Sequence, residues 1–140
     1  MLDVGQSVAL LGDPLYSREG KLELEREILR AGIRSIPLLV AQLEDKRSFE
    51  RRPSGGPGGA LAEVTVAQEC EDLLYEIITP RYRSPHQKGV VPRDATVFTV
   101  VDWKRWWARR QGMSLAEVRK ETRLVMDRYW LAGGVEQRVE

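Results

Sequence analysis

Five stretches of this chain alternate apolar and polar positions with a helical period, and each has a boundary signal. The first runs from Ser17, an acceptable N-cap, through Leu22, Ile28 and Leu29 to Gly32, where the chain can take a left-handed turn. The second begins at Ser35 with Pro37 in its first turn and places Ile36, Leu39, Val40 and Leu43 at the i, i+3, i+4, i+7 spacing of a buried stripe. So few residues separate the two that an antiparallel helical hairpin is expected.

The third stretch, "TVAQECEDLLYEIITP", carries the strongest pattern. Thr65 and Gln68 form a capping box, Val66, Cys70, Leu73, Leu74, Ile77 and Ile78 share one face, and Pro80 ends the helix. The fourth spans Asp102 to Gly112. A fifth opens immediately on the capping box of Ser114 and Glu117, has Leu115, Val118, Val125, Met126 and Tyr129 on its inner face, and closes at Gly133 and Gly134. The chain must therefore turn sharply at Gly112.

Two connections are long. Residues 46–63 contain "PSGGPGGA", whose glycine, proline and serine have nothing to bury, so a flexible loop is expected. Residues 80–101 are turn-rich at first and end in "TVFTVV", which fits a short extended segment near 96–101 packed on the helices.

Composition narrows the class. A chain of 140 residues with 42% hydrophobic and 31% charged residues fits one helical domain spanning 1–140, and its net charge of +1 exerts no global pull toward nucleic acid or an anionic membrane. The single cysteine, Cys70, forms no internal disulfide, so a reducing compartment is the default. Asp3 stands where a secretory leader wants a basic residue, the apolar run Val8–Leu11 is short, and no stretch approaches a membrane span. The expectation is a cytoplasmic chain without a membrane partner.

The order of a helix, a glycine turn, a helix with proline in its first turn, a loop and a further helix, together with "GIRSIPLLVAQLED", resembles the two-helix units of HEAT-like repeat proteins, in which "xIPxLLxxLxD" is a common wording of the second helix. The resemblance covers residues 17–79; the tryptophan-rich C-terminal hairpin departs from it. It implies an all-α fold of about five helices in stacked antiparallel hairpins that binds other macromolecules, and it brings no catalytic residues.

Candidate chemistry is sparse. Trp103, Trp106 and Trp107 fall at i, i+3 and i+4, so they share one broad face suited to a core wall, with Arg110 placed to lie over a ring; an exposed stacking platform for nucleic acid is the competing reading. Charge is segregated: Arg81 to Arg110 holds eight basic residues against two acids, whereas Glu63, Glu69, Glu71, Asp72 and Glu76 precede it without a basic residue among them. Either the two regions pair or are solvated, or one is a docking surface.

His86 is the only histidine and Cys70 the only thiol, which argues against a zinc site, and a Cys70 on an apolar face suits packing rather than nucleophilic catalysis. "GGPGGA" lacks the lysine and hydroxyl residue of a phosphate loop. No cofactor, metal or catalytic residue is therefore expected. The leading expectation is a non-catalytic protein-interaction module, of the bacterial accessory or immunity type, contacting a protein partner through Arg81, Tyr82, Arg83, His86, Arg105 and Arg109. The rival is a nucleic-acid-binding protein using the same basic 81–110 segment. An enzyme built around His86 and Tyr82 is a third reading, and the oligomeric state is open.

Overall fold

The computed structural model describes residues 3–53, 61–79 and 97–140, with the side chains of 50–53 and 61–62 left aside. They are predominantly helical and group into two compact units, Met1–Ile77 and Ile78–Glu140.

The first unit opens with α1 (Val4–Leu10), which the sequence reading did not separate from the N-terminal apolar run. Its start is fixed by a reciprocal cap: the Asp3 carboxylate accepts the Gln6 N–H at 2.8 Å, and the Gln6 side chain accepts the Asp3 N–H at 3.0 Å. Next comes α2 (Arg18–Ala31), capped by Ser17, whose hydroxyl accepts the Gly20 N–H, and ended by Gly32 at φ 59°. A four-residue 3-10 turn (Gly32–Ser35) leads into α3 (Ile36–Ala41), with Pro37 in its first turn as expected. Ser35 donates its hydroxyl to the Ile28 carbonyl at 2.6 Å, satisfying an acceptor at the end of α2.

The inward stripe of α2 is Lys21, Leu24 and Ile28, whereas Leu22 is exposed. Lys21 tolerates burial because its ammonium donates to the Phe49 carbonyl and lies 4.9 Å from the centre of the Phe49 ring.

The expected flexible loop over 46–63 is corrected at both ends. Ser48–Pro53 forms β1 and Leu61–Thr65 forms β2, paired antiparallel from Ser48 opposite Thr65 to Pro53 opposite Leu61, with an irregularity between Ser48 and Glu50. Short extended runs on either side of a glycine- and proline-rich segment are the pattern of paired strands; the glycine-rich segment itself, 54–60, lies outside the described residues. Helix α4 (Val66–Ile78) follows with its predicted capping box intact and with Val66, Cys70, Leu73, Leu74, Ile77 and Ile78 all buried. Its first two amides donate to the carbonyls of Arg47 and Asp45 at 2.8 and 2.9 Å, so the segment leaving α3 serves as a backbone cap for α4.

The second unit begins with β3 (Phe98–Val100), the extended segment expected near 96–101. Helix α5 (Trp103–Ala108) starts on Asp102, and α6 (Leu115–Leu131) on the capping box of Ser114 and Glu117. The chain ends in β4 (Gln137–Val139), which pairs parallel with β3. The all-α expectation therefore holds for the bulk of the fold and is corrected by these two small sheets. A parallel pair needs a long crossover, and α5 and α6 supply it.

Candidate functional site

The tryptophan question is answered by burial. Trp103 and Trp106 are 5% and 2% exposed, their rings edge-to-face at a centroid distance of 5.3 Å, and Trp107 is half-buried. They form core rather than an exposed stacking surface. Arg110 lies over Trp106 as the spacing predicts, with its guanidinium carbon 4.7 Å from the ring centre.

Three of the five residues of the acidic stretch are engaged. Glu69 is buried, and Glu69, Glu71 and Asp72 all have interaction partners. Cys70 is fully buried, and burial, reinforced by the carboxylates of Asp45 and Glu69, pushes its thiol up to about 12. A thiol held neutral in this way is a poor nucleophile at neutral pH. Among the described residues no group of three or more His, Cys, Asp or Glu side chains could hold a metal ion, and no helix is long and apolar enough to cross a membrane.

Of the residues expected to contact a partner, Arg81, Tyr82, Arg83 and His86 lie outside the described residues. Arg105 and Arg109 are both exposed, one turn apart along α5 and its C-terminal cap. Arg109 opens onto a groove of ≈ 530 Å³ in the second unit. One wall is a single stripe of α6, Glu121, Leu124, Val125 and Arg128, at i, i+3, i+4 and i+7. The opposite wall is the C-terminal strand and its flank, Gln137 through Glu140.

Four arginines (109, 110, 128, 138) line this groove against two glutamates (121 and 140). Arg110 is committed to structure: its Nε donates to Glu121 at 3.1 Å, its Nη2 to the same carboxylate, and its Nη1 to the Trp106 carbonyl at 2.9 Å. Arg109, Arg128 and Arg138 have no acidic partner among the described residues, and Leu124 between them is 52% exposed. The arrangement is an apolar strip edged by three cations that have no acidic partner among the described residues. A smaller hollow of ≈ 270 Å³ on another flank of α6 is lined, among the described residues, by Ala116, Arg119, Lys120 and Arg123 of that helix.

Arg138 escaped the sequence reading because parallel pairing of β3 with β4 places it in the groove, and Arg128 because it joins Arg109 there only through the fold-back of α6 after α5. The local signal was the alternation in "VEQRVE" after the glycine pair. No protein-family model matches this sequence, and neither a curated protein nor a solved structure matches it.

Proposed function

We propose that this chain is a small, non-catalytic interaction module that binds an acidic protein partner through the groove between α6 and β4. The observation that supports this reading most is the convergence of Arg109, Arg128 and Arg138, without acidic partners among the described residues, around the exposed Leu124. Arginine beside apolar surface suits a protein interface, where guanidinium forks engage carboxylates while the strip between them is desolvated. A nucleic-acid groove would pair its cations with exposed rings, and Trp103 and Trp106 are buried. In the same reading, the unit from α2 through α4 is a HEAT-like helical scaffold, and the chain acts in the cytoplasm as an accessory or immunity-type protein.

The experiment is affinity capture with the tagged full chain and its Arg109→Glu/Arg128→Glu form from lysate of the source cells, with and without nuclease, followed by mass spectrometry. A stoichiometric, nuclease-resistant partner that the reversed form loses supports the reading. A partner kept by the reversed form, or recovery of nucleic acid alone, overturns it.

A further inference from the structure

The groove has a backbone wall as well as a charged rim. In the parallel pair, the Gln137 N–H donates to the Val97 carbonyl at 3.1 Å, and the Val139 carbonyl accepts the Val101 N–H at 2.8 Å. Odd-numbered residues of β4 thus face β3. Strand alternation turns the N–H and C=O of Arg138 to the opposite edge, where they have no partner among the described residues. We infer that this edge of β4 takes an extended acidic peptide strand, whose amides pair with Arg138 while its carboxylates meet Arg109, Arg128 and Arg138. This rests on the acidic-partner reading of the groove and specifies how that partner is held.

Three arguments select this occupant. First, this edge presents a donor and an acceptor together that are unpaired among the described residues, and a peptide amide answers both, whereas a phosphodiester backbone offers acceptors only. Second, the wall runs along residues 137–140, so at about 3.3 Å per residue it accommodates roughly four residues of extended chain. Third, the charge disfavours self-association through this edge: a second copy of β4 paired antiparallel about its centre would set Arg138 directly against Arg138. An alternating strand that carries its carboxylates on the face turned toward α6 satisfies the rim, and β-branched residues between them favour the extended form.

The test uses the full chain and a fluorescein-labelled, end-capped octapeptide of alternating valine and glutamate, with binding read by fluorescence anisotropy. Two further versions carry N-methyl groups on the odd or on the even amides, so that one blocks the peptide edge facing β4 in either register. Saturable binding weakened about tenfold or more by Arg138→Glu or Arg128→Glu is expected. One N-methylated version should lose about tenfold while the other stays within about threefold, and exchange of the Arg138 amide should slow in the complex. Equal binding of both N-methylated versions, no saturable binding, or displacement by oligothymidylate at lower concentration than by unlabelled octapeptide would overturn strand addition. If capture of the cellular partner still depends on Arg109 and Arg128 while the octapeptide fails, strand addition alone falls. If the captured partner ignores those arginines, the acidic-partner reading falls with it.

Discussion

Arg110 sits over the indole of Trp106 and also donates to that residue's own carbonyl, so one guanidinium binds both the face and the backbone of the ring that anchors α5. The arginine is 8% exposed, and its Nε and Nη2 donate to Glu121 of α6. It therefore ties the end of α5 to α6 through a planar fork that lysine does not reproduce. Arg110→Ala is expected to destabilise the chain by about 2–3 kcal/mol, from lost charge-assisted hydrogen bonds and the desolvated cation–π contact. Arg110→Lys should recover less than half of that. Urea unfolding followed by tryptophan fluorescence measures both; a loss below about 0.5 kcal/mol for the alanine variant would show the contacts to be incidental.

Asp45 governs the segment whose carbonyls cap α4. The Arg47 guanidinium grips its carboxylate at 2.7 to 3.1 Å, the Arg47 N–H adds a bond at 3.0 Å, and together they hold the Asp45 carboxyl below its ordinary value despite the opposing effect of burial. A depressed folded value contributes stability that is present above about 4, the unfolded value, and lost as the pH falls through the folded one. Asp45→Asn should flatten the acid limb of the stability profile in that window. Gly12→Ala provides an independent check, since a Cβ there would stand 2.6 Å from Arg47 Cζ and displace the guanidinium. The Asp45 carboxyl, followed by NMR titration, should then move up toward its ordinary value; an unchanged titration would rule out Arg47 as the cause.

The Cys70 thiol has the opposite sign. Its folded pKa of about 12 lies above an unfolded value near 8.5, so the stability it contributes is complete below about 8.5 and is lost as the pH rises from there toward 12. At pH 8 a thiol-specific chromogenic reagent should leave the native chain unlabelled and label one thiol per chain in denaturant. Cys70→Ser should cost about 1–3 kcal/mol by placing a hydroxyl on the buried stripe of α4. Rapid labelling of native protein would contradict the burial on which all three expectations rest.

Helix boundaries were legible where chemistry acts locally. Ser17, Thr65, Asp102 and Ser114 are capping residues in the sequence and in the structure, because a cap involves only residues three positions apart. The start of α1 is equally local, since Asp3 and Gln6 cap each other three positions apart. The hairpin of β1 and β2 and the parallel pair of β3 and β4 were not legible as pairs. Strand partners are chosen by tertiary packing, and β3 and β4 are three residues each.

The site followed the same division. Arg109 was identifiable from the basic run around the tryptophans, and the fate of Arg110 followed from its i+4 spacing to Trp106. The other half of the groove depends on a crossover through two helices, which no window of sequence contains. Lys21 illustrates the limit from the other direction: a charge on a helix densely populated by charges reads as solvated, yet it is buried because a carbonyl and a ring far along the chain receive it.

The junction of α5 and α6 tests whether turn and cap act together. Gly112 has φ +88°, with nothing within 4 Å of a built Cβ, so any cost of a side chain there is backbone strain alone. Gly112→Ala is expected to cost about 1–2 kcal/mol, and Gly112→Asn less, since asparagine visits the left-handed region more readily. Two residues on, Ser114 accepts the Glu117 N–H at 3.2 Å while Glu117 reaches back to the Ser114 amide, so Ser114→Ala should cost about 1 kcal/mol. Losing the cap lets the first turn of α6 fray, which releases part of the strain that alanine creates at 112. The double variant should therefore lose less stability than the sum of the two single changes, read from a double-mutant cycle in urea. Strict additivity would mean that the turn and the cap are independent devices.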